Sequence, residues 1–138
     1  QLDHVLKMTI KTTLGVTITE ALDATEWTSS SELRKRVRRF VKSKIGDGEP
    51  LLRLEALLNR AQRATKRRNE LTHRVWATKR DGTHVIKDDN HAFGPVPEAN
   101  EIRQVADEIA AIAVELNDVR LNGFLSEALE FAQPNNAA

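Results

Sequence analysis

Apolar residues return every three or four positions along most of this chain, the period of a helix with one buried face. Leu2, Val5, Leu6, Ile10, Leu14, Ile18, Ala21 and Leu22 place such a stripe on a helix over residues 2–23, locally weakened by five threonines and Gly15. A second helix is predicted from Ser29, whose spacing to Glu32 suits a capping box, to about Ile45, where Gly46-Asp47-Gly48 stops it. Its inner face carries Leu33, Val37 and Phe40 or Val41. Pro50 suits the first turn of a third helix. In it Leu51, Leu54, Leu57, Leu58, Ala61, Ala64, Leu71 and Val75 keep the helical period, with no Gly or Pro before Gly82.

The pattern changes after Leu71. Val75–Arg80 and Thr83–Lys87 are β-tolerant runs on either side of Asp81-Gly82, which reads as a short hairpin or an extended loop. Residues 88–97 read as loop. Ile102, Val105, Ile109, Ile112, Ala113, Leu116 and Val119 then line a long helix beginning after Pro97, Gly123 breaks it, and Phe124–Phe131 forms a short last helix. The fold class expected is all-α: a four- to five-helix up-and-down bundle with a short β-hairpin or loop insert, about residues 76–97, between its two longest helices. One domain covers residues 1–138, with a frayed tail over about 132–138.

Composition sharpens this in two ways. Only 4% of residues are aromatic while 40% are hydrophobic, so the core has to be aliphatic. The net charge of +1 hides an asymmetry: residues 1–80 hold 18 basic and 9 acidic side chains, residues 81–138 hold 3 and 11. A basic half of net +9 followed by an acidic half of −8 is a reason to expect a polyanionic partner on one face.

Other chemistries lack their parts. Without cysteine there are no disulfides, thiolate metal sites or cysteine nucleophiles. His4, His73, His84 and His91 have no metal-ligand spacing, so no metal and no cofactor are expected. No Gly-rich phosphate loop and no Gly-x-Ser-x-Gly elbow is present. No apolar run is long enough for a membrane span, and Gln1–His4 does not open a signal peptide. The expectation is a cytoplasmic protein with no membrane partner.

The densest polar constellation is Lys66-Arg67-Arg68-Asn69-Glu70-Leu71-Thr72-His73-Arg74 at the end of the third helix. Within it Arg68-Asn69-x-x-x-His73 resembles the signature of the HEPN superfamily: an arginine, often followed by a polar residue, then a histidine after four to six positions. The order of elements also resembles the family, with a leading amphipathic helix, a long helix ending in the motif, a variable insert and a long C-terminal helix. The resemblance implies a homodimer with a composite site and a metal-independent endoribonuclease activity, of the toxin or defence type that this superfamily supplies, with an antitoxin protein as a further partner. In that reading His73 transfers a proton, Arg68 stabilises charge on the pentacoordinate phosphorus, and Asn69 orients the phosphate. An imidazole titrates near neutrality and suits either direction of transfer. On one helix Arg68 and His73 stand about 140° apart and about 7.5 Å along the axis, whereas Asn69 and His73 share a stripe. Arg63, Lys66, Arg67 and Arg74 beside the motif, with Arg38 and Arg39 on the second helix, are the expected RNA-binding residues, and their affinity would be salt-dependent and sequence-tolerant.

Each feature also has a plainer reading. His73 suits the end of a helix by the dipole alone. Arg68 could be structural, paired with Asp107, Glu108 or Glu115 of the acidic helix, and the basic run 34–44 could be a solvated face. The alternative function is a non-catalytic helical module for nucleic-acid or nucleotide binding, or for dimerisation.

Overall fold

The computed structural model describes residues 1–81, 85–87, 93–95 and 99–132, with side chains described for 1–73 and 99–132. Six helices lie among the described residues: α1 (Leu2–Leu14), α2 (Ile18–Ala24), α3 (Ser30–Ile45), α4 (Glu49–Asp81), α5 (Ala99–Leu121) and α6 (Phe124–Ala132). α1 packs against α3 and α5, and α4 packs against the same two, so the four long helices form a ring in the order α1–α3–α4–α5. Three of the four contacts around the ring join long helices that follow one another in sequence, and α5 closes the ring onto α1, as in an up-and-down bundle. α6 folds over one end and touches α3, α4 and α5. The fold class is therefore all-α and bundle-like. None of the described helices is long and apolar enough to cross a membrane.

The interior is aliphatic. Leu6 from α1, Leu33, Val37 and Val41 from α3, Leu54 from α4, Ile112 and Leu116 from α5 and Leu125 from α6 are fully buried in one cluster. Phe40 and Phe124 only border it. Burying each such leucine contributes about 1.5–3 kcal/mol, which makes this seam the main source of stability.

The first expected helix is in fact two. Gly15 takes a left-handed conformation (φ +70°) and closes α1, its N–H donating to the Lys11 carbonyl. Thr17 then caps α2 by accepting from the Glu20 N–H at 3.1 Å. Leu14, Ile18 and Leu22 keep the apolar spacing across the break although all three are exposed and only Ala21 of α2 is buried, so periodicity alone could not locate it. The threonines are accommodated by back-bonding: Thr9 and Thr13 are buried and donate to the carbonyls four residues earlier, both at 2.8 Å.

The cap of α3 is half of the expected box. Ser29 Oγ accepts from the Glu32 N–H at 3.2 Å, but the Glu32 carboxylate turns outward to Arg36 at 3.4 Å. Ser29→Ala is expected to cost about 1 kcal/mol in a urea melt, and Glu32→Ala much less, because an exposed ion pair contributes little.

The insert differs from expectation. Residues 75–80 are helical, so the hairpin turning on Asp81-Gly82 does not form. Adding a residue to an existing helix costs far less than starting one, and Ala77, Lys79 and Arg80 are good helix formers that outweigh the β-branched positions. A three-residue pairing occurs further on instead, Val85–Lys87 antiparallel to Phe93–Pro95. The rest of the expected loop over 88–97, His84, His91 and the tail beyond Ala132 lie outside the described residues.

Candidate functional site

Leu58, Ala61, Thr65 and Leu71 turn one side of α4 into the core. The residues flanking that buried stripe toward α3 are Gln62, Lys66, Asn69 and His73, which recur at helical spacing and so share one edge. Across from them, α3 buries Leu33 and Val37 and presents Arg34 and Arg38 beside that stripe. Between the two helices lies an open groove of about 430 Å³ bordered by Arg34, Gln62, Lys66, Asn69, Glu70 and His73. It continues past Arg34 and Gln62 into a smaller cavity of about 140 Å³ reached by Lys35 and Arg38. Among the described residues Glu70 is the one carboxylate along the larger part.

Asn69 and His73 thus share a groove, and both are exposed. Arg68 does not share it. Its guanidinium donates to Asn69 Oδ1 at 3.2 Å, and it borders a separate, more apolar cavity of about 240 Å³ with Leu71, Thr72, Ile102 and Val105, on the α5 side of α4. This is the separation about the helix axis anticipated from a spacing of five. Within the chain the motif's arginine and histidine border different cavities.

The structural role considered for Arg68 belongs to another residue. Arg60, two turns earlier, holds Glu115 at 2.7 Å and Glu108 at 3.4 Å. The hydrogen bond to Glu115 is the largest cause of its raised pKa. Arg68 is exposed, and no carboxylate among the described residues lies within ion-pair distance of it. Among the described residues the acidic helix therefore pairs with Arg60 and not with Arg68.

The expected RNA-binding residues divide in the same way. Lys66 and Arg38 border the groove, although Arg38 also lies 3.3 Å from Glu55. Arg39 stacks over the Phe40 ring at 5.0 Å, and Arg63 and Arg67 are exposed on α4 without bordering the groove. The Arg74 side chain lies outside the described residues. The groove residues that motif reading passed over are Arg34 and Gln62. The available signal was positional: Arg34 and Arg38 stand four apart beside Leu33 and Val37, and Gln62 stands four before Lys66.

Among the described residues no three His, Asp or Glu side chains gather as they would around a metal ion. What the groove offers is proton transfer from an imidazole, amide and hydroxyl hydrogen bonding, and several cations, a set suited to a phosphodiester. Comparison with protein-family models, curated proteins and solved structures finds no match for the chain.

Proposed function

We propose that the chain is a HEPN-like, metal-independent endoribonuclease. The observation that supports this reading best is that His73, Asn69 and Lys66 share one edge of a groove whose other side carries Arg34. A histidine exposed beside several cations can act on a phosphodiester held there. The ribose 2′-oxygen attacks the adjacent phosphorus and its proton passes to a base. The bond from phosphorus to the 5′-oxygen breaks, and that oxygen is protonated as it leaves. The products are a 2′,3′-cyclic phosphate and a 5′-hydroxyl, and His73 serves as the base or as the acid. Arg68 opens on the other side of α4, so its role on the pentacoordinate phosphorus requires the Arg68 of a second copy, in the homodimer that the resemblance implies. A toxin or defence role, with an antitoxin partner, rests on the same resemblance. The experiment is RNA incubated with the protein in excess EDTA: fragments ending in a 2′,3′-cyclic phosphate are expected, and intact RNA sinks the nuclease reading.

The divergence of Arg68 from His73 favours a second reading, a module that binds RNA in the same groove without cutting it. Retention of intact RNA, weakening as salt rises, is its signature.

A further inference from the structure

We propose that Arg34 is the phosphate anchor of the His73 groove, and that the α3–α4 groove from Arg38 to His73 is a track for the backbone of one RNA strand. This rests on RNA being the ligand, as in the reading above. It assigns a residue of α3, outside the Arg68–His73 motif, to the task that Arg68 does not perform in its own protomer.

Arg34 borders both the larger cavity beside His73 and the smaller one beside Arg38, so any ligand running between them passes it. It is half-buried, and its Nη1 donates to Ser30 Oγ at 2.9 Å, which fixes the fork and leaves most of its five N–H donors for another acceptor. Three arginines of the basic half, among the described residues, have carboxylate partners: Arg36 has Glu32, Arg38 has Glu55, and Arg60 has Glu108 and Glu115. Arg34 has none within ion-pair distance among the described residues. Burial lowers its pKa, opposed only by the more distant charge of Asp3. A partly desolvated cation with spare donors is a ready site for a phosphate oxygen.

The shape of the groove selects the ligand. From Leu58 to His73 it follows α4 for fifteen residues, about 22 Å. Its smaller part is a furrow with Arg34, Lys35 and Arg38 of α3 on one side and Leu58, Asn59 and Gln62 of α4 on the other, a shape that suits one extended backbone better than a duplex. Among the described residues no aromatic side chain borders it, and there phosphate contacts rather than base stacking carry the affinity.

The test uses a short, fluorescently labelled 2′-O-methyl oligoribonucleotide, which has no 2′-hydroxyl and cannot be cleaved by the proposed route. Anisotropy titrations at several KCl concentrations give affinity and salt slope. Arg34→Gln is expected to weaken binding about tenfold. Losing one phosphate contact reduces the slope of log K against log salt by about 0.7. Arg60→Gln, on the α5 side, is expected to change neither, and thermal melts followed by circular dichroism verify that both variants are folded. Wild-type affinity and slope in folded Arg34→Gln, no binding by the unaltered protein, or tighter binding of the corresponding duplex each overturn the proposal. The nuclease reading fails separately. A protein that leaves RNA intact yet binds this probe through Arg34 keeps the track and loses the catalysis. One that cuts RNA normally as Arg34→Gln, with unchanged probe affinity, does the reverse.

Discussion

Replacing His73 by alanine is expected to lower RNA cleavage by about 10²- to 10⁴-fold, the usual loss when a positioned acid or base is removed. His73 is exposed at the edge of the α3–α4 groove and contributes nothing to the buried cluster, so the melting temperature should be nearly unchanged. That pairing of outcomes separates chemistry from folding. The plainer reading of His73 as a dipole-favoured histidine at a helix end does not hold, because α4 runs on to Asp81; a histidine without a catalytic role would leave cleavage intact. Cleavage by His73→Ala at the rate of the unaltered protein excludes His73 as the proton-transfer group. The measurement is single-turnover cleavage of a labelled RNA in EDTA, with a thermal melt of the same preparation.

The largest stability effect is expected at Leu54. Its side chain is 0% exposed and belongs to the cluster shared by α1, α3, α4, α5 and α6. Leu54→Ala removes buried methyl groups and leaves a cavity that four surrounding helices can close only partly, at a cost of about 3 kcal/mol. Against a typical total of about 5–15 kcal/mol, this shifts the urea midpoint well down. Leu52→Ala, two residues away and 61% exposed, is the matched control and should fall within about 0.5 kcal/mol of the parent. Equal midpoints for the two variants would mean that the interior is not packed as described.

The helices were legible wherever a buried stripe and a stop signal coincided. Leu33, Val37 and Val41 with Gly46 defined α3, and the run from Leu51 to Leu71 defined most of α4. The break at Gly15 was hidden because Leu14, Ile18 and Leu22 continue the apolar spacing across it although they are exposed, and only the left-handed glycine followed by Thr17 marks it. The continuation of α4 through Val75–Arg80 was misread because local β preference is weak beside the cooperative growth of a long helix.

At the site, helical geometry correctly joined Asn69 to His73 and separated Arg68 from both their stripe and their groove. The choice of Arg60 over Arg68 as partner of Glu108 and Glu115 was not legible. It depends on the axial register of α4 against α5, which no short-range pattern encodes. Arg34 was visible only as one of a crowded basic run. Its place on the same groove as His73 follows from the way α3 lies along α4.

The ring order has an electrical consequence. α3 and α5 occupy opposite corners of the bundle, and their charges differ in sign: Ser30–Ile45 carries seven basic residues and one acidic, Ala99–Leu121 five acidic and two basic. A molecule with almost no net charge therefore has a large dipole moment running across its short axis. An approaching polyanion exerts little pull on such a molecule as a whole but a definite torque, which rotates the α3 edge toward it before contact. Encounters at low ionic strength should accordingly be productive more often than collision alone allows, and added salt should erase that advantage within a Debye length of about 10 Å at 0.1 M.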